Sequence, residues 1–181
     1  LKPGMPFGGS CLPKDLIALQ GISRANQIDS PMISSLNESN KIQLDRVAKR
    51  VLESKPKVVT FLGISFKENT DDLRESPLLA LAVKLKEQGV QVKIYDPGVD
   101  PGLFIGANLA AMIESIPELS QVMCQDVNTA VADVDVIILG HKNLSESVTL
   151  SDIKISTKVF DLVGVSKKVS SNLENLEGLY W

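Results

Sequence analysis

The segment FGGSCLPKD, residues 7–15, places a cysteine between two glycines and the Pro-Lys-Asp start of a predicted helix. A thiol just before a helix lies at the positive end of the helix dipole, and Lys14 is close by; both favour the nucleophilic thiolate. Gly8 and Gly9 would leave the backbone open to an approaching substrate. The segment therefore indicates nucleophilic chemistry at Cys11, with a small apolar thiol packed in a tight turn as the alternative.

Asp15 lies about one helical turn after Cys11, so its carboxylate can face the thiol. A carboxylate beside a nucleophile is suited to general acid–base work. Asp15 is also well placed to cap the helix N-terminus, and both roles are compatible.

A second segment of this kind follows the first predicted strand: GISFKENTDDLRESP, residues 63–77. It lacks the second glycine of the GxGxxG dinucleotide fingerprint. Lys67 and Arg74 suit phosphate or carboxylate groups, and the helix start at Ser76-Pro77 offers backbone N–H groups to an anion. The alternative is a solvated, charged loop.

Composition narrows the class of protein. The chain has 181 residues, 44% apolar and 23% charged, with a net charge of −3. This balance argues against a nucleic-acid partner and suits a globular protein with one core, or a core plus a smaller unit. Cys11 and Cys124 are too far apart in sequence to indicate a disulfide framework or a metal site. No apolar run approaches the roughly 20 residues of a membrane span, so we expect no membrane partner and a cytoplasmic location.

Hydrophobic periodicity predicts helices near residues 13–26 and 31–54, with a domain boundary after residue 54. Strands and helices then alternate within residues 55–181. We expect strands at 57–63, 90–95, near 122, 134–139 and 158–162, and helices at 76–89, 127–133 and 149–154. This alternation predicts an α/β fold: a Rossmann-like, doubly wound, mostly parallel sheet preceded by a long central helix.

Ligands of such sheets bind beyond the carboxyl ends of the strands. Residues 63–74, Asp96-Pro97, Gly140-His141 and 161–164 are therefore expected at the rim of one site. His141, the single histidine, is expected to be a surface or loop residue, and Cys124 a structural one.

The predicted helix 31–54 has a seam of apolar and amide side chains spaced four and three apart: Ile33, Asn37, Asn40, Leu44, Val47 and Val51. This spacing is typical of coiled-coil contacts. We expect the seam to pack on residues absent from this chain or on a second subunit, which predicts a homodimer. The asparagines would set the register, line a site, or simply face water.

Taken together, GGSCLPKD and GISFKENTDDLRES resemble the nucleotide-sugar 6-dehydrogenases, the UDP-glucose/GDP-mannose dehydrogenase family. The resemblance covers the whole chain. FDLVG at 160–164 and GLYW at 178–181 resemble the GDP-mannose branch more than the UDP-glucose branch. The family's N-terminal NAD-binding domain is missing from this sequence, which begins without Met and reaches its first motif at once, so we expect part of the functional unit to lie upstream.

The resemblance implies oxidation of GDP-mannose to GDP-mannuronate, in polysaccharide biosynthesis such as that of alginate. Two NAD molecules would accept four electrons in all, by way of a thiohemiacetal and a thioester on Cys11. Asp15 would position or activate water, and Arg74 would bind the cofactor phosphates or link two subunits. The substrate-binding residues implied are Lys2, Phe7, Gly8, Gly9 and Lys67.

Two alternatives to this function remain open. The chain could serve UDP-glucose oxidation, or it could be a nucleotide-sugar-binding module that is inactive without an NAD domain. A third possibility is an interaction protein that dimerises through residues 31–54 and binds no ligand.

Overall fold

The computed structural model describes residues 4–100, 102, 119–147, 153–165 and 175–178. The helices are α1 (Leu12–Ala25), α2 (Pro31–Leu52), α3 (Pro77–Glu87), α4 (Leu119–Val122), α5 (Val127–Val131) and α6 (Lys142–Ser147). The strands are β1 (Val58–Leu62), β2 (Gln91–Tyr95), β3 (Val136–Leu139), β4 (Lys158–Asp161) and β5 (Leu176–Gly178). Lys2, Trp181 and most of the helix predicted at 149–154 lie outside the described residues.

The two N-terminal helices begin where the capping signals predict. Cys11 is the N-cap residue of α1, and Pro13 lies in its first turn, where the missing N–H group costs nothing. Ser30 precedes α2, and Pro31 is its first residue. In α3, the Ser76 hydroxyl accepts a hydrogen bond from the Leu79 amide, which is a regular N-cap.

The strands form one parallel sheet in the order β2-β1-β3-β4-β5, which confirms the α/β prediction. Val59 of β1 pairs with Val92 on one side and with Val136 on the other. All four residues of β3 are buried, as expected for a central strand covered on both faces.

Alternate residues of each strand enter two separate cores, one on each face of the sheet. One core contains Phe61, Ile138 and Phe160 and extends onto α2 and α3. The other contains Leu62, Ile137 and Val159 and extends onto α5 and α6. The sheet is therefore doubly wound, and its carboxyl edge carries the loops that follow β1, β2, β3 and β4.

Three elements of the structure differ from the prediction. The strand expected near residue 122 is the short helix α4, and just one bridge, between Met123 and Ile94, adds to the sheet there. The helix after β3 covers Lys142–Ser147, which has too little apolar periodicity to be predicted. Strand β5, Leu176–Gly178, was not predicted because three residues give no period.

The seam of α2 is partly covered within this chain. Its C-terminal half packs on α3, and Val47 and Val51 are buried in the same core as β1. Toward the N-terminus, Ile33 is half-buried and Asn37 is exposed. The expectation that the whole seam packs on absent residues or on a second subunit is therefore wrong for the part near the sheet.

Large apolar side chains remain exposed along α1 and the start of α2. Ile17 is 61% exposed and Met32 is 74% exposed, and Leu19 and Ile22 are also exposed. None of the described helices combines the length and apolar character needed to cross a membrane.

Candidate functional site

A cavity of about 540 Å³ lies between the cysteine loop and the loop that joins β1 to α3. It is lined by residues 6–12 together with Phe66, Lys67, Thr70 and Asp72. Cys11 is exposed and lies in this lining, with the Ser10 hydroxyl 3.8 Å from its sulfur atom. The fold thus brings the two sequence motifs to one crevice.

The cysteine loop is fixed by the long helix. The Asn40 side chain accepts a hydrogen bond from the Phe7 amide and donates one to the Phe7 carbonyl, each 2.8 Å long. One turn further along α2, the Gln43 amide donates to the Gly4 carbonyl at 3.0 Å. The seam residue Asn40 therefore hydrogen-bonds the backbone of Phe7, a predicted substrate-binding residue, and holds it at the cavity.

The two glycines of this loop are needed for close packing between the motifs. A Cβ atom on Gly8 would lie 2.0 Å from the Glu75 carbonyl oxygen, and one on Gly9 would lie 2.4 Å from the Phe66 ring. Gly9 also has a φ of +83°, and its amide donates a 3.0 Å hydrogen bond to the Glu75 carbonyl. The backbone of these glycines is thus occupied by the second motif, which sequence reasoning did not foresee.

This packing also changes the expectation for the start of α3. Ser76 is buried, and its hydroxyl accepts from the Leu79 amide and donates to the Ile64 carbonyl. The ring of Pro77 lies against Gly8. The first turn of α3 is therefore covered by the cysteine loop, and the anion site expected there is not open to a ligand.

The β1–α3 loop, residues 63–76, holds Phe66 and Lys67 at the cavity. The Lys67 carbonyl accepts hydrogen bonds from the hydroxyls of Ser65 and Thr70, and the Phe66 amide donates to the Asp72 carbonyl. Both side chains are exposed. An ammonium group and an aromatic ring at the mouth suit a ligand with a phosphate and a flat ring.

Arg74 forms a two-pronged ion pair with Asp72, with N–O distances of 2.8 and 2.9 Å. The hydrogen bond from Arg74 lowers the pKa of the Asp72 carboxyl. Asp72 in turn raises the pKa of Arg74, with a smaller contribution from Cys11. The positive charge of Arg74 is therefore held next to a cavity-lining carboxylate.

Asp15 lies in the first turn of α1, and its amide donates a 2.9 Å hydrogen bond to the Cys11 carbonyl. Its side chain is exposed. The structure thus keeps the one-turn spacing between Cys11 and Asp15 that the sequence predicts.

His141 lies in the loop between β3 and α6, as one half of the expectation had it, but only 3% of its surface is exposed, so it is not a surface residue. Its Nε2 atom lies 3.0 Å from the Ser65 carbonyl oxygen. Asp96 is also buried, and its Oδ2 accepts from the amides of Ile64 and Ser65 at 2.9 and 3.1 Å. The two residues therefore support the β1–α3 loop from behind.

The described residues do not fit a dinucleotide cofactor in the usual way. In that type of site, an acidic residue shortly after the glycine-rich turn binds the ribose of the cofactor. Asp96, at the end of β2, instead points inward and accepts three backbone N–H groups, the third from Gly98. The turn after β1 also has Ser65 where the fingerprint requires its second glycine. The nicotinamide site implied by the resemblance has to be sought elsewhere.

Asp161, which is expected at the rim of the site, binds the backbone of its own loop. Asp161 is buried at the end of β4, and its carboxylate accepts hydrogen bonds from the amides of Val163, Gly164 and Val165, which fixes the loop after β4.

Cys124 is half-buried, and burial raises the pKa of its thiol. Within the described part of the chain, no three His, Cys, Asp or Glu side chains lie close enough to hold a metal ion.

Two family models match the chain. The UDP binding domain of the UDP-glucose/GDP-mannose dehydrogenase family matches residues 60–167. The central domain of the same family matches residues 1–42. The cysteine loop thus lies within one match and most of the sheet within the other.

The chain is similar to parts of longer relatives and spans less than half of their length. A GDP-mannose 6-dehydrogenase of Azotobacter vinelandii is 38% identical over 181 residues, which cover 100% of this chain and 41% of the relative. A UDP-glucose 6-dehydrogenase of Rickettsia bellii is 39% identical over 102 residues, or 54% of this chain and 24% of the relative. The crystal structure of a ternary complex of GDP-mannose dehydrogenase from Pseudomonas aeruginosa superposes with a TM-score of 0.82 and 33% identity, covering 99% of this chain and 41% of that one.

Proposed function

The chain belongs to the UDP-glucose/GDP-mannose dehydrogenase family, and from that premise we propose that it forms the substrate-binding part of a GDP-mannose 6-dehydrogenase. Residues 1–54 would supply the nucleophile and the helices, and residues 55–181 the nucleotide-binding lobe. The GDP-mannose assignment is supported by similarity over the whole chain to relatives of that activity. The similarity to a UDP-glucose enzyme covers about half of the chain.

The observation that carries the proposal is the position of Cys11 in the cavity shared with Lys67. The exposed sulfur can meet a sugar carbon, while the ammonium group of Lys67 can contact the diphosphate of the same molecule. Phe7, Gly8 and Gly9 line the cavity between them, in agreement with their proposed substrate role. Lys2, which lies outside the described residues, is also proposed to bind the substrate.

The chemistry of this chain is the capture of the half-oxidised sugar. The thiol of Cys11 adds to the C6 aldehyde: the C–S bond forms, the C=O π bond opens, and the thiol proton ends on the former aldehyde oxygen. No electrons leave in this step, and the reactive aldehyde is retained. Asp15, one turn along α1, is the proposed carboxylate for proton transfer with water when the acid is released.

The two oxidations need a hydride acceptor, and NAD is the proposed cofactor of the whole enzyme. The inward-facing Asp96 and the missing glycine give this domain no regular dinucleotide site among its described residues. We therefore assign the nicotinamide to a part of the enzyme outside this chain. The proposed contact of Arg74 with cofactor requires release or sharing of its ion pair with Asp72.

We also propose a homodimer through α2, the helix predicted at 31–54, together with the exposed apolar side chains of the neighbouring helix α1. The exposed apolar side chains Ile17, Ile22 and Met32 support it, because exposed apolar surface of this kind is stabilised by a partner. Sedimentation equilibrium would test this directly. A dimer that dissociates on the change Ile17→Asp agrees with the proposal, and a wild-type monomer contradicts it.

The function is tested by calorimetry and by turnover. Calorimetry of this chain with GDP and UDP should show tighter binding of GDP; tighter binding of UDP would favour the UDP-glucose alternative, and binding of neither would favour an interaction protein. In the full-length enzyme, Cys11→Ser should abolish formation of the sugar acid, with Cys124→Ser as the matched control. Sugar acid formation at the normal rate by the Cys11 variant would refute the nucleophile assignment.

A further inference from the structure

We propose that His141 and Asp96 are positioning residues: together they fix the β1–α3 loop so that Phe66 and Lys67 face the cavity. Neither residue is among those that line the cavity. The inference rests on the proposed function for the effect on ligand binding, but the effect on the loop can be measured independently.

The loop needs outside support because it has little regular structure of its own. Between β1 and α3 it contains three residues with positive φ, namely Gly63 at +93°, Asn69 at +60° and Glu75 at +52°. Non-glycine residues with positive φ are strained, and such a conformation persists only where the surroundings enforce it. Ile64 and Ser65 are buried, and the acceptor of their two amides, Asp96, comes from outside the loop.

Asp96 supplies the acceptors for this buried backbone. It follows β2, and one oxygen accepts both the Ile64 and Ser65 amides while the other accepts the Gly98 amide. One carboxylate therefore ties the end of β1 to the end of β2. An amide side chain at this position would have one acceptor oxygen in place of two.

His141 supplies the matching donor. A carbonyl oxygen can only accept, so the Nε2 atom that faces the Ser65 carbonyl at 3.0 Å carries the proton. The ring is packed so closely that a Cβ atom on Gly63 would lie 2.3 Å from its Cγ atom. Its Nδ1 atom, 3.7 Å from Asp96 Oδ2, has no hydrogen-bond partner among the described residues.

The residues after His141 extend the same contact. The Lys142 amide donates to the Glu68 carboxylate at 2.6 Å, and the Asn143 side chain donates to the Asn69 side chain at 3.0 Å. The loop is thus held on both sides of Lys67, at Ser65 and at Glu68. A shift of this support would move the ammonium group relative to Cys11.

The test compares His141→Ala with His141→Gln, whose amide can still donate to the Ser65 carbonyl. Thr157→Val is the matched control, because it removes another buried side-chain-to-carbonyl bond at the opposite, amino edge of the sheet. Hydrogen exchange at the Ile64 and Ser65 amides should rise on the order of tenfold in His141→Ala, and much less in the other two variants. GDP affinity should fall on the order of tenfold in His141→Ala, with partial rescue in His141→Gln.

The outcomes separate the inference from the proposed function. If exchange at Ile64 and Ser65 rises equally in Thr157→Val, His141 contributes only general stability and the inference is wrong. If exchange rises selectively but GDP affinity is unchanged, the loop position does not govern the site, and the inference is also wrong. If exchange rises selectively while the wild-type chain binds neither GDP nor UDP, the loop support stands and the proposed function fails.

Discussion

The Gly9 amide donates a 3.0 Å hydrogen bond to the Glu75 carbonyl and so joins the cysteine loop to the β1–α3 loop. Both residues have positive φ, +83° for Gly9 and +52° for Glu75. Two segments far apart in sequence thus meet through backbone atoms, and the cavity between them depends on that contact.

Replacing Gly9 with alanine should lower the free energy of unfolding by about 2–4 kcal/mol, because the new Cβ atom is both strained by φ and pressed into the Phe66 ring. Urea unfolding measures this change. Gly89→Ala separates the two causes, since Gly89 also has positive φ but has open space around it, and about 1 kcal/mol is expected there. Gly21→Ala, within α1 and in open space, should stabilise the chain by about 0.5–1 kcal/mol. Equal losses for Gly9 and Gly89 would mean that contact with Phe66 is unimportant.

The change Asn40→Asp should weaken the link between α2 and the cysteine loop. A carboxylate cannot donate to the Phe7 carbonyl, so that carbonyl loses its partner on α2, at a cost of about 1–3 kcal/mol. Thermal and urea unfolding measure the loss, and calorimetry with GDP measures the effect on the site. Asn37→Asp, one turn earlier on the same helix and exposed, is the control and should change stability by less than about 0.5 kcal/mol. Identical behaviour of the two variants would contradict the proposed role of Asn40.

The ion pair of Asp72 and Arg74 predicts a specific pH dependence. Because Arg74 lowers the pKa of the folded Asp72 carboxyl, its contribution to stability is fully present above the unfolded pKa of about 3.9 and is lost as the pH falls through the lower folded value. Wild type should therefore be more stable than Asp72→Asn at neutral pH, and the difference should shrink at acid pH. Urea unfolding across this range measures it, with Asp29→Asn as a control for the loss of one carboxylate. A difference that is independent of pH would rule out the ion pair as its source.

Cys124 should react slowly with iodoacetamide near neutral pH. Burial raises the pKa of its thiol, so the thiolate fraction should continue to increase above the ordinary thiol value of 9.0. Peptide mass spectrometry gives the rate at each pH, and Cys124→Ser identifies the signal. A rate that reaches its plateau below that value would show that the thiol is not protected by burial.

The sequence predicts most of the fold because its signals are local. Ser30-Pro31 marks the start of α2, and continuous apolar runs mark the buried strands β1 and β3. Strand β5 and helix α6 give no such signal, since they are short and are formed by tertiary contacts. The parallel direction of the strands follows from the alternation of strands and helices.

The site is harder to predict because its supports come from distant residues. The spacing on α2 indicates that Asn40 is an amide within an otherwise mostly apolar seam. Its partner, the Phe7 backbone, is found only from the folded structure. A single histidine after a strand gives no hint that it is buried against Gly63. The glycines of the first motif indicated open backbone, whereas their space is filled by Phe66 and Glu75. One of the supporting residues does have a sequence signal. Asp96 directly follows a predicted strand, at the edge of the sheet where the loops that bind ligands lie.

The most direct test of the proposed substrate site is the alkylation rate of Cys11 in the presence of GDP-mannose. Because the exposed thiol lies in the same cavity as Lys67, a bound nucleotide sugar should cover it. With saturating GDP-mannose, peptide mass spectrometry should show modification of Cys11 slowed by at least about tenfold, with the rate at Cys124 unchanged. The Lys67→Ala variant, with its weaker hold on the diphosphate, should lose most of this protection. An unchanged Cys11 rate at a GDP-mannose concentration where calorimetry shows the wild-type chain to be saturated would place the ligand elsewhere and contradict the central claim.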